Sequence, residues 1–105
     1  MVLKEEIATI VSMEMKDPSL SVVTITHVKV ARDMRGATVY YSVYGTHGEQ
    51  EKAGIVLSRA SGYIRGELGR RLKLKRVPEL YFEFDDSFEK GMHINRLLKE
   101  IEGDD

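Results

Sequence analysis

Seven cations crowd one stretch of the chain. Arg59, Arg65, Arg70, Arg71, Lys73, Lys75 and Arg76 lie between Leu57 and Pro78, with Glu67 as the single acid among them. That stretch carries a local balance of +6 and the rest of the 105 residues carries −7, so the overall charge of −1 hides a strong asymmetry. Side chains of this kind hold a polyanion without transforming it, through Coulomb attraction and displacement of condensed counterions. Arg32 and Arg35, in the turn of an expected hairpin, extend the patch. Groups suited to catalysis are sparse. His27, His47 and His93 are far apart and lack metal-ligand spacing. Asp85-Asp86 precedes an apolar-periodic segment, where acids at a helix N-terminus are a better explanation than a divalent metal. No phosphate-cradling glycine loop or nucleophile-elbow serine is present. The expectation is a binding protein with no catalytic residues, no metal and no cofactor.

Composition bounds the class. A chain of this length builds one modest core, and 42% hydrophobic with 31% charged residues is ordinary for a globular domain. The absence of cysteine rules out disulfides and thiolate metal sites and suits a reducing compartment. Apolar runs are far short of the roughly 20 residues that a membrane span needs, and Lys4, Glu5 and Glu6 interrupt any apolar leader. A cytoplasmic protein without membrane contact is expected.

The elements that must position the cations read in order. Residues 1–16 have Leu3, Ile7, Ile10 and Val11 on one helical face, and Asp17-Pro18 stops the helix. Met13 and Met15 are expected as core filler. Residues 22–32 read as a strand in which Val23 and Ile25 alternate on one face while Val28 and Val30 fall on the other. A bulge near Thr26 or His27 reconciles the halves. The turn Asp33-Met34-Arg35-Gly36 leads to a cleaner strand over 37–44, giving a hairpin. Gly45 to Gly48 breaks the pattern. Ala53, Val56, Leu57, Ala60, Ile64, Leu68 and Leu72 then form one helical stripe, bent at Ser61-Gly62 because Gly/Ser pairs commonly kink helices. A third strand, 80–84, buries Leu80, Phe82 and Phe84. A last helix follows with Phe88, Ile94, Leu97, Leu98 and Ile101, and 102–105 form a short acidic tail. A strand reached through a helical crossover runs parallel to its neighbour. The fold class is therefore α+β, in the order α-β-β-α-kink-α-β-α, with a three-stranded mixed sheet and helices on one face.

Two helices meeting at glycine beside a hairpin are compatible with a KH-type RNA-binding domain, which clamps nucleotides with a GxxG loop. Gly66-Glu67-Leu68-Gly69 matches GxxG literally, but Glu67 puts an acid where a phosphate would sit and Leu68 belongs to the core stripe. A more extended pattern is informative. Lys16-Asp17-Pro18, the strand Val22 to Arg32, Ala37-Thr38-Val39-Tyr40, Ala60-Ser61-Gly62-Tyr63-Ile64-Arg65, Arg76-Val77-Pro78-Glu79-Leu80 and Glu89-Lys90-Gly91 together resemble the ribosome-binding factor A family, from about Glu5 to Ile101.

The resemblance implies a single type II KH-like domain over 1–101, in which an Ala-x-Gly kink, here Ala60, Ser61 and Gly62, replaces GxxG. It also implies a non-enzymatic protein that binds the free 30S ribosomal subunit through 16S rRNA. Such a protein assists late maturation, including the 16S 5′ end, with a link to growth in the cold. An assembly GTPase is a further expected partner, and a monomer the expected state. The family's basic face maps onto Arg59, Arg65, Arg70, Arg71, Lys73, Lys75 and Arg76. A second reading, a KH-like protein-interaction module without rRNA specificity, rests on Tyr40, Tyr44 and Tyr81 on strand faces.

Overall fold

A computed structural model describes residues 2–20 and 23–87. The expected last helix and the acidic tail lie outside the described residues. Helix α1 spans Val2–Thr9 and continues as a π-helical turn over Ile10–Glu14; a short 3₁₀ turn, Pro18–Leu20, leads into β1, Val23–Val30. Strand β2, Gly36–Val43, is followed by α2, His47–Arg59, α3, Ser61–Leu72, and β3, Glu79–Phe84. The sheet order is β1-β2-β3, with β1 and β2 antiparallel and β2 and β3 parallel. The mixed three-stranded α+β arrangement is the one expected.

The sheet has one buried face. Ile25, Val28, Ala37, Val39, Tyr41, Val43 and Leu80 are buried, and Phe82 and Phe84 pack against them. Alternate residues such as His27, Lys29 and Tyr81 point to solvent, as the period-2 pleat requires. The β1–β2 register slips between Ile25 and His27, so the bulge falls at Thr26. It lets both halves of β1 bury their apolar residues on the same side. The bulged Thr26 hydroxyl donates to Asp85 Oδ2 at 2.6 Å, while Asp85 Oδ1 accepts the Ser87 N–H at 2.9 Å. One carboxylate thus ties the first strand to the chain leaving the third. The Ser87 hydroxyl, the Thr26 hydroxyl and the Ser87 N–H, in that order, hold the Asp85 pKa down to about 2.

Three expectations need correction. The first helix stops at Glu14 and its end is widened, with the Met15 N–H reaching Ile10 O at 3.2 Å. The Thr9 hydroxyl bonds back to Glu5 O at 2.9 Å, a competition for carbonyls that bends helices. Ile7, Ile10 and Val11 remain buried, but Met13 is turned out, 75% exposed, and only Met15 packs against the core. Secondly, α2 begins at His47, before Gly48. Thr46 caps it by accepting the Glu49 N–H at 3.2 Å, and Glu49 reaches back to the Thr46 N–H at 3.4 Å. This capping box satisfies N–H groups that a helix start leaves orphaned. Thirdly, the break between α2 and α3 falls at Ala60, within the Ala60-Ser61-Gly62 kink that the resemblance implies but before the Ser61-Gly62 pair that the Gly/Ser rule picks out. Ala60 has φ −88° and ψ 0°, and its N–H is shared between Val56 O at 3.0 Å and Leu57 O at 3.2 Å. One tightened turn of this kind redirects the helix without any positive φ, and no glycine among the described residues adopts one.

Helix α2 approaches β2 so closely that a Cβ on Gly54 would lie 2.5 Å from the Tyr41 hydroxyl. Tyr41 is buried, so its ring cannot swing away cheaply. Gly54→Ala is therefore expected to cost about 1–3 kcal/mol, read from urea unfolding. Tyr41→Phe in the same chain should recover much of that loss by removing the clashing oxygen. Asp85 gives a pH signature. Its folded pKa lies below the unfolded one, so its contribution is present above about pH 4 and fades as pH falls towards 2. The wild type should exceed Asp85→Asn in urea midpoint at pH 6, and the two should converge near pH 2.

Candidate nucleic-acid interface

The α2-bend-α3 pair turns the basic stretch into two unlike sides. Ala53, Leu57, Ile64 and Leu68 are buried and form the core-facing side. On the opposite side, Arg59, Gly62, Tyr63, Gly66, Arg70 and Lys73 follow the three- and four-residue spacing that aligns side chains along a helix, and Arg59, Gly62, Tyr63, Arg70 and Lys73 are open to solvent. A Cβ on Gly62 or on Gly66 would meet nothing within 4 Å. The two glycines leave a bare strip of backbone between cations, where a sugar-phosphate chain can lie close. Below it, α2 and β3 enclose a shallow hollow of 540 Å³ lined by Glu51, Gly54, Ile55, Ser58, Arg59 and Phe82. Arg59 stands at its rim over an apolar floor.

The seven cations do not all serve this face. Arg65 is turned inward against the segment that joins α3 to β3. Its Nε donates to Pro78 O at 3.1 Å and its Nη2 to Val77 O at 3.0 Å, while its Nη1 lies 3.3 Å from Glu79. Arg71 pairs with Glu6 of α1 at 3.4 Å and with Glu67 at 3.7 Å. Glu67 also pairs with Arg70, whose side chain stays 70% exposed. The acid that disqualified the literal GxxG thus works as an internal counter-ion. Arg59, Lys73, Lys75 and Arg76 have no charged partner among the described residues, so they hold most of the uncompensated positive charge in the stretch.

Lys73 ends α3 in the left-handed conformation, φ 53° and ψ 42°, and its N–H caps Gly69 O. Gly69 has a packing role instead: a Cβ there would press 3.2 Å from Val77 Cγ2. Helix α3 and the Arg65 bonds thereby hold the Lys73–Pro78 segment in place. Of the hairpin pair, Arg35 lines one groove with Lys75 and Arg76, whereas Arg32 does not line it. The Glu79 N–H donates to Arg35 O at 2.8 Å, which joins the hairpin turn to the start of β3. Sequence reasoning set Gly66 aside with the literal GxxG and so missed its bare surface, and it missed the apolar floor of Ile55 and Phe82 because neither carries charge or a motif. Among the described residues no cluster of acids and histidines could hold a metal ion, and no helix is long and apolar enough to cross a membrane.

Because lysine cannot reproduce the planar three-way grip of Arg65, Arg65→Lys is expected to destabilise the fold by about 1–3 kcal/mol. Thermal or urea unfolding measures this. Arg59→Lys, whose side chain has no such partners among the described residues, should stay within about 0.5 kcal/mol.

Comparison with known proteins is consistent across sequence and structure. Residues 1–98 match the family model described as Ribosome-binding factor A. A relative of that name from Natranaerobius thermophilus is 46% identical, over 94% of this chain and 76% of its own length. The crystal structure of ribosome-binding factor A from Thermus thermophilus superposes with a TM-score of 0.70 at 29% identity, covering 78% of this chain and 87% of that one. A Thermus thermophilus homology model fitted into the cryo-EM map of a 30S complex gives a TM-score of 0.70 at 28% identity, with 82% and 90% covered. The chain belongs to the ribosome-binding factor A family.

Proposed function

We propose that this protein binds the free 30S ribosomal subunit through 16S rRNA and assists the late maturation of that subunit, including the 16S 5′ end. It acts in the cytoplasm as a monomer, by binding and release rather than by catalysis. It supports growth in the cold, and an assembly GTPase is a candidate for promoting release. The observation that carries the reading is the exposed face of α2 and α3, where Arg59 and Lys73, without a charged partner among the described residues, flank the bare backbone at Gly62 and Gly66. Phosphates are recognised by such clusters of fixed charge, and the absence of side chains lets the RNA backbone approach closely. Family membership supports a ribosomal partner, and the Thermus thermophilus relative is described in a 30S complex.

Two measurements test the reading. Reversing Arg59, Arg70, Lys73 and Lys75 to glutamate should abolish co-sedimentation with purified 30S subunits. Wild-type binding should fall by about two orders of magnitude between about 50 and 200 mM salt, as for a face making some four phosphate contacts. Unchanged co-sedimentation of the reversed protein would exclude this face. Gly62→Gln separates binding from stability. Because Gly62 is helical and nothing lies within 4 Å of its missing Cβ, the side chain should stabilise the helix by about 0.5–1 kcal/mol. It should nevertheless weaken subunit binding by filling the bare strip. In a strain lacking the protein, 5′-extended 16S rRNA should accumulate, and wild type but not the reversed variant should clear it.

A further inference from the structure

A second hollow, of 1010 Å³, lies away from the α2–β3 cleft, between the start of α1, the β1–β2 turn and the segment joining α3 to β3. Its walls are aliphatic: Leu72, Leu74, Val77 and Met34 line it. Met34 is 72% exposed and Leu74 40%, so apolar surface here is left open to water. Clustered exposure of that kind marks a place where something binds. The rim is cationic, with Arg35, Lys75 and Arg76. Four cations, with Arg65 the fourth, and two acids, Asp33 and Glu79, line it, so its charge balance is +2. Asp33 Oδ1 accepts the Arg35 N–H at 3.0 Å, and Glu79 pairs with Arg65. The three rim cations have no charged partner among the described residues.

Backbone strain converges on the same place. Met34, at φ 61°, and Lys73, at φ 53°, are the non-glycine residues with positive φ among those described. One lines the hollow and the other introduces the Leu74-Lys75-Arg76 wall. Such conformations cost roughly 1 kcal/mol or more and persist where the surroundings impose them, often at ligand sites.

We infer that this groove takes an unpaired nucleotide of rRNA turned out of its stack, with the base against Met34, Leu72 and Leu74 and the flanking phosphates on Arg35, Lys75 and Arg76. The inference rests on the ribosomal reading above and adds a base-reading site to a phosphate-holding face. An extruded base offers a flat apolar insert joined to closely spaced anions, which is the combination this groove complements. A carboxylate-bearing protein segment would also meet the charge. Lys73 of the proposed rRNA face, however, stands in the chain between Leu72 and Leu74, which line the groove, so an RNA strand held on that face has its next nucleotide within reach of the groove, and phosphate is the anion assigned to the rim.

The test uses the whole protein and three RNA hairpins of equal length: one with a single bulged 2-aminopurine, one with an abasic bulge, and one fully paired. Wild type should bind the bulged-base hairpin about tenfold more tightly than the other two, and the Met34→Asn/Leu74→Asp variant should bind all three alike. Both positions are exposed and asparagine tolerates the left-handed conformation, so the variant should fold. Equal wild-type affinities, or a preference that survives the double variant, would overturn the inference. So would competition at the groove by a leucine- and glutamate-rich peptide with no preference for the bulged base, which points to a protein occupant. Wild-type co-sedimentation with 30S subunits is measured alongside. Its loss counts against the ribosomal reading, whereas retained co-sedimentation without bulge preference counts only against the groove.

Discussion

The Arg65 guanidinium is the contact on which the candidate interface depends. It satisfies two backbone carbonyls and one carboxylate of the segment entering β3. Such a segment, crossing from a helix to a parallel strand, has few backbone partners of its own. Without a donor from α3, the Val77 and Pro78 carbonyls would depend on water, and the Lys75 and Arg76 side chains would sit on a loose loop. A charged donor is well matched to the task because its bonds are stronger than neutral ones and its planar fork fixes direction. Gly69 supports the same seam sterically by letting Val77 pack against α3.

Within the basic stretch, the division of labour follows from helix geometry. Seven- and four-residue spacing puts Leu57, Ile64 and Leu68 in the core. The opposite side is open, and the flanks point at neighbours: Arg71 at α1, Arg65 at β3. Glu67 stands on a flank, where its single charge is shared between Arg70 and Arg71 and leaves Arg59 and Lys73 without a charged partner among the described residues. Net charge alone therefore overstates the number of cations offered to an anion. Pairing decides which remain.

Much of this is legible in the chain. Alternation in Ala37–Val43, the frame shift that demands a bulge near Thr26, and the crossover that requires a parallel third strand all follow from period and connection rules, and each is present. The capping box at Thr46 and Glu49 is also readable as a T-x-x-E pattern, but the glycines around it draw the expected helix start later than it is. The family resemblance includes Ala60 in the kink, but the position of the bend is not legible from the Gly/Ser rule. It is a ψ value at Ala60, and alanine advertises nothing about backbone angle. Nor can the roles of Arg65 and Arg59 be separated, since both read as cations and only tertiary packing tells an inward guanidinium from an outward one. Met13 misleads for the same reason: a widened turn changes which residue faces the core, and no residue type announces it.

Helix α3 carries Gly62, Gly66 and Gly69 within 12 residues. At about 0.5–1 kcal/mol each relative to alanine, these make it a segment that will not hold helical form by itself. Its shape is borrowed from the sheet and from β3, which follows it in the chain. During synthesis the hairpin and α2 can dock before α3 has anything to lean on. The candidate interface therefore cannot take its full form before β3 has emerged to receive Arg65. A nascent chain that has not finished folding presents its cations on a flexible strand instead of an ordered face.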